Sequence, residues 1–84
     1  MMQVVLYSRP GCHLCEQALL ELRVLHSETR ERMSFELTEV NIESDPEIEK
    51  KFLFEIPVIE VDGVIVTSVP VEMDVVRAAL RDTL

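Results

Sequence analysis

Positive charge is scarce in this sequence: eight lysines and arginines face sixteen aspartates and glutamates, a formal net charge of -8 over 84 residues. Binding to nucleic acid or anionic lipid depends largely on Lys and Arg neutralising phosphates, so neither nucleic acid nor a membrane is an expected partner. Cysteine is limited to Cys12 and Cys15. A pair so close together cannot staple distant parts of a chain, as the bridges of a secreted miniprotein do. Long hydrophobic runs are missing as well. The opening stretch 1–7 carries no basic leader and is too short for a signal peptide or a membrane span, so a reducing cytoplasm is the expected location. No internal repeat or low-complexity tract marks a linker. The chain reads as one domain over residues 1–84, with roughly two-thirds of its unfolded surface available for burial and no room for a second catalytic domain. Apolar residues, by contrast, are plentiful at 48%, which together with the charge indicates a folded acidic protein and not a disordered one.

Both cysteines fall in Ser8-Arg9-Pro10-Gly11-Cys12-His13-Leu14-Cys15, where a strand pattern gives way to a helix pattern. Two cysteines three positions apart at a helix start are one turn apart, so the first sulfur can face solvent while the second packs behind it. That is the geometry of a reversible dithiol, and near a β-α-β pattern such a pair reads as redox-active.

Residues 3–7 are β-branched and apolar on both faces, the composition of a central strand covered on each side. Arg9-Pro10-Gly11 breaks that strand. Leu14, Ala18, Leu22 and Leu25, with Leu19, recur at helical spacing and predict a helix over 12–30. Residues 34–42 predict a second strand, and the step from Phe35 and Leu37 to Val40 and Ile42 slips phase, which suits an edge strand or a bulge. Strand, helix, strand implies a parallel pair with a right-handed crossover. Ser44-Asp45-Pro46-Glu47 starts a short helix reaching Phe52, with Ser or Asp as the cap. Residues 56–61 form a third strand opened by Pro57, Asp62-Gly63 is a two-residue hairpin turn, and 64–67 pair back. From Pro70 onward, Met73, Val76 and Leu80, flanked by Val75 and Ala79, describe a last amphipathic helix. The order is β-α-β-α-β-β-α, an α/β class.

That order, with a dithiol after the first strand and a proline opening the third, resembles the glutaredoxin-like branch of the thioredoxin superfamily over nearly the whole chain. Tyr7-Ser8-Arg9-Pro10-Gly11-Cys12 is similar to the family's strand end, basic residue, proline and nucleophilic cysteine, and Cys15 to its resolving one. The resemblance implies a thioredoxin-like fold with a four-stranded mixed sheet in the order 2-1-3-4, the first and third helices sharing a face. It implies a cis proline at Pro57 facing the dithiol, and substrate contacts from Arg9, Ile56 and Pro57. Its activity would be thiol-disulfide exchange on protein or low-molecular-weight disulfides, with no cofactor, and with glutathione or a flavoprotein disulfide reductase as reductant. Some positions depart from the family pattern. Thr67 and Ser68 stand in place of a Gly-Gly pair that lets glutathione approach, Leu14 replaces an aromatic residue, and Glu55 replaces a threonine. Thioredoxin's own tryptophan before the first cysteine is also absent.

Thiolate is the attacking species, and a thiol of pKa about 8.5 is only a few per cent ionised at neutrality. A helix N-terminus supplies roughly 0.3 to 2 kcal/mol, enough for about one pH unit; a larger effect needs Arg9, a bond from Cys15 or a protonated His13. His13 is either such a modulator or a solvated first-turn residue, and Arg9 either an anchor for substrate or an exposed strand end. Two other functions share the same cysteines. Cys12 and Cys15 could ligate a metal or an iron-sulfur cluster, though His13 and His26 cannot readily complete four zinc ligands within one chain. The domain could instead be a non-catalytic interaction module. His26 is expected at the surface, Met73 and Phe52-Leu53-Phe54 in the core, and the charges between Glu28 and Glu39 on a solvated face; Glu55 is either an anion beside the proline that disfavours glutathione's carboxylates or a residue pointing outward.

Overall fold

A computed structural model describes residues 2–29 and 35–82. The elements run β1 (Met2–Ser8), α1 (His13–Thr29), β2 (Phe35–Asn41), a 3-10 turn (Ile42–Ser44), α2 (Pro46–Phe52), β3 (Val58–Val61), β4 (Val64–Thr67) and α3 (Met73–Asp82). The sheet order is β2-β1-β3-β4. β1 and β2 are parallel with Met2 opposite Phe35 and Ser8 opposite Asn41, whereas β3 runs antiparallel to both β1 and β4. This is the thioredoxin-like arrangement that the resemblance implied.

Strand alternation divides the interior in two. Val4 and Leu6 of β1 point to a face where Ala18, Leu22 and Leu25 of α1 meet Val76 and Leu80 of α3, together with Phe35, Ile59 and Val61. The first and third helices therefore share a face. On the other face Ile42, Phe52 and Val58 form a smaller cluster, with Tyr7, Ile48, Leu53 and Ile56 packed against it. Tyr7 and Phe52 stack obliquely there, 4.6 Å between ring centres. Among the described residues this side is covered by the 3-10 turn and the seven-residue α2; Val5 and Tyr7 are half-buried, and β1 is less enclosed than its apolar composition predicts.

Local chemistry sets the boundaries. Asp45 caps α2 by accepting from the Glu47 N–H at 2.9 Å, Pro46 fills a first-turn position that needs no donor, and Lys50 and Lys51 close the negative end. Asp62 and Gly63 both have positive φ, 49° and 85°, the conformation a two-residue hairpin with matching twist requires. The Asp62 carboxylate also accepts from the Gln3 N–H at 2.8 Å.

Some expectations need correction. Cys12 precedes α1 instead of opening it, its carbonyl accepting the first helical bond from Glu16 N at 3.1 Å. The predicted helix end at Arg30 and strand start at Ser34 lie outside the described residues. β2 is an edge strand, but its pairing with β1 is continuous; the irregularity falls between Ile59 and Glu60, where β3 meets β4. The apparent phase slip is a change of face: Phe35 and Leu37 join the larger cluster, Val40 lies opposite Tyr7, and Ile42 has left the strand for the 3-10 turn. β3 starts at Val58, since Pro57 has no N–H to give the ladder. Of Phe52-Leu53-Phe54 only Phe52 is buried; α2 ends there, and Phe54 is 90% exposed. Met73 is half-buried against the main core, as expected. No described helix is long and apolar enough to cross a membrane.

Candidate redox site

The site is built where β1 hands the chain to α1. Ser8 ends β1 buried at 4% exposure, its hydroxyl donating to the Glu39 carboxylate at 2.8 Å across the parallel pair. The chain then turns through Pro10 and Gly11, with the Cys12 N–H donating to the Arg9 carbonyl at 3.3 Å. Gly11 has φ +79°, a conformation costly for any residue with a Cβ. This turn sets Cys12 at the N-terminal end of α1.

Cys12 and Cys15 are joined by a disulfide, their Cα atoms 5.2 Å apart. Cys12 is half-buried and Cys15 only 2% exposed, so an approaching molecule meets the first sulfur and not the second. The Cys15 N–H donates to Cys12 Sγ at 3.2 Å. A sulfur at a helix start, already accepting a backbone N–H, is positioned to be stabilised as an anion when the bond opens.

The other expected site residues are arranged unequally around this pair. Pro57 is buried, follows a cis Ile56–Pro57 bond as the resemblance implied, and shares a cleft with Leu14, Gln17, Ala18 and Glu21 of α1 and with Val69, Pro70 and Val71. The cleft volume is about 210 Å³. Ile56 is half-buried and its N–H already donates to the Phe52 carbonyl at 3.1 Å, so a peptide ligand would have only its carbonyl to pair with. Arg9 lines a separate hollow of about 270 Å³, together with Glu16, Glu39 and Asn41. Its guanidinium sits 3.8 Å from the Glu43 carboxylate, both side chains more than 40% exposed. His13 is exposed on the first turn of α1, and among the described residues no hydrogen bond joins its ring to Cys12.

Sequence reasoning missed the 69–71 wall. Val69 and Pro70, linked by a second cis bond, complete the cleft facing α1, and Leu14, Ala18 and Glu21 line it at helical spacing. Pro70 just past the hairpin was the available signal. Thr67 and Ser68 are occupied in closing their own loop: Thr67 Oγ1 accepts from the Glu72 N–H at 3.2 Å and donates to the Ser68 carbonyl at 3.4 Å. The Val69 N–H donates to the Glu55 carbonyl at 3.1 Å, tying this loop to the one before Pro57. Glu55 itself is exposed. His26 is exposed at the far end of α1, edge-on to Phe35 at 5.0 Å, and among the described residues no three His, Cys, Asp or Glu side chains cluster to hold a metal ion.

The family model described as "Glutaredoxin-like domain" matches residues 3–81. The chain belongs to this glutaredoxin-like domain family. A similar solved structure is the solution structure of protein Ne2328 from Nitrosomonas europaea, 30% identical, with 94% of this chain and 91% of that one covered and a TM-score of 0.77. The glutaredoxin-like domain is also similar to protein XcR50 from X. campestris, 25% identical over 94% of this chain and 96% of that one, TM-score 0.63. Oxidised mitochondrial thioredoxin 3 from Saccharomyces cerevisiae, 14% identical, shares the fold at a TM-score of 0.68, covering 96% of this chain and 77% of that one. None of the curated protein sequences matches it. A glutaredoxin-like fold carrying a closed Cys-x-x-Cys pair supports a redox role for the domain in general terms.

Proposed function

We propose that this domain is a thiol-disulfide oxidoreductase in which Cys12 attacks and Cys15 resolves. The observation that carries this reading is the unequal exposure of two bonded sulfurs: Cys12 within reach of a partner, Cys15 sheltered at 2%. In the reduced domain the Cys12 thiolate attacks one sulfur of a substrate disulfide; that bond breaks, and the departing thiolate takes a proton from water. The Cys15 thiol then loses its proton and attacks Cys12 Sγ, releasing the second substrate thiol and closing the Cys12–Cys15 bond. Two electrons have moved from the dithiol to the substrate, and an external thiol or a flavoprotein disulfide reductase returns them.

The helix start and the Cys15 N–H both favour the Cys12 anion. Pro57 forms part of the wall against which substrate lies, Ile56 offers its backbone carbonyl, Arg9 is a substrate anchor, and His13 modulates the thiolate. Protein or small-molecule disulfides in a reducing cytoplasm are the substrates this chemistry suits. A metal or cluster held by the same cysteines would need ligands from beyond those described in this chain.

The test is to trap the intermediate. Cys15→Ser, incubated with a disulfide substrate, accumulates a mixed disulfide on Cys12 visible as added mass, and Cys12→Ser forms no adduct and is inactive. Adduct formation on Cys12→Ser, or turnover by both variants, refutes the assignment.

A further inference from the structure

The cleft beside the dithiol is poorly furnished for an anion. Its walls are Leu14, Ala18, Pro57, Val69, Pro70 and Val71, and its polar groups are the amide of Gln17 and the carboxylate of Glu21. Among the described residues no lysine, arginine or histidine lines it. On its far wall the Val69 N–H is held by the Glu55 carbonyl and Pro70 has no N–H to give. Arg9 lines a different hollow and pairs loosely with Glu43 at 3.8 Å. Glu55, whose side chain is exposed, is bonded to the cleft wall through its backbone carbonyl.

An apolar slot with an acidic edge complements an apolar side chain next to a cation. Leu14, 53% exposed, and Val69, 37% exposed, are uncovered apolar surface of this cleft, and burying them against another apolar group is favourable. A small tripeptide disulfide with two carboxylates per half would instead place negative charge against Glu21, with no cationic side chain among the described lining residues to receive it.

We infer that the substrate of this cleft is a polypeptide disulfide with an apolar residue and a lysine or arginine flanking the attacked cysteine, and that oxidised glutathione is disfavoured. This rests on the oxidoreductase reading and adds the substrate class. The exchange is the one already balanced: the peptide disulfide gains two electrons and two protons, and the Cys12–Cys15 pair closes.

The experiment uses the full chain, reduced with dithiothreitol and freed of it, mixed with symmetric disulfides of short peptides carrying Leu and Lys, Leu and Glu, or Ser and Lys around one cysteine, and with oxidised glutathione. Oxidation of the domain is followed by quenching and mass analysis. Each rate is divided by that of dithiothreitol with the same disulfide, which removes the intrinsic reactivity of the substrate. The Leu/Lys peptide is expected to react fastest, about three-fold or more ahead of the Leu/Glu peptide, as exposed charge pairs allow. It should also lead the Ser/Lys peptide and oxidised glutathione. Glu21→Gln should shrink the Lys-over-Glu ratio, and Glu21→Lys should invert it. Equal normalised rates for all four disulfides, or a lead for glutathione, overturn the substrate class while leaving the oxidoreductase reading intact. No exchange with any of them overturns both.

Discussion

Tyr7 is the sole tyrosine of a chain without tryptophan, which makes its ionisation directly visible. Its hydroxyl donates to the Glu60 carboxylate at 2.8 Å. Burial, the hydrogen bond to Glu60 and the Glu60 charge, in that order, push its pKa from 10.0 up to about 12. At alkaline pH the unfolded chain releases this proton from about pH 10, whereas the folded chain holds it until about pH 12. Between those values the folded state binds more protons, so stability falls as pH rises, and the contribution is intact below pH 10. At full strength the difference corresponds to about 2.7 kcal/mol; partial exposure of the pair to water and salt reduces the expected loss to about 1 kcal/mol. Tyrosinate absorbance in the near ultraviolet gives the folded pKa, and urea titrations of the oxidised protein at pH 9 to 12 give the stability. The Tyr7→Phe variant, compared over the same range, subtracts the titration of lysines. A folded midpoint near 10, or an identical alkaline loss in Tyr7→Phe, would refute the coupling between Tyr7 and Glu60.

Three further outcomes follow from packing and backbone. Leu22→Ala, at a fully buried position of α1 in the main core, should lower stability by about 2 to 5 kcal/mol in urea unfolding; a loss under 1 kcal/mol would mean the core closes over the gap. Gly11→Ala should cost about 1 to 2 kcal/mol although open space surrounds the position, because the penalty lies in the backbone at φ +79°, and Gly11→Asn should cost less. Phe54→Ser should change stability by no more than about 0.5 kcal/mol, since the ring is 90% exposed; a larger loss would show that it packs in solution.

Elements with a repeated signal were legible. Leu14, Ala18, Leu22 and Leu25 mark α1 four times over, Asp45-Pro46 marks a helix start by capping chemistry, and Asp62-Gly63 marks a hairpin by its φ requirement. Boundaries set by a single competing interaction were not. Ile42 reads as the next strand residue, yet Asn41 accepts the Glu43 N–H at 2.9 Å and begins a 3-10 turn. Phe54 reads as core because hydrophobicity alone does not say where a helix stops. In the site, the cysteines and Pro57 were visible because residue type dictates their chemistry. The ion pair of Arg9 with Glu43 depends on where the 3-10 turn sits, and the 69–71 wall depends on how two loops meet. Neither relation has a local sequence mark.

The hydrogen bond between Val69 and Glu55 bears on redesign. It makes one frame of two segments that are distant in the chain, so a recognition loop grafted from a relative onto either side alone would arrive without its mate. Transplanting specificity into this scaffold means exchanging both segments together.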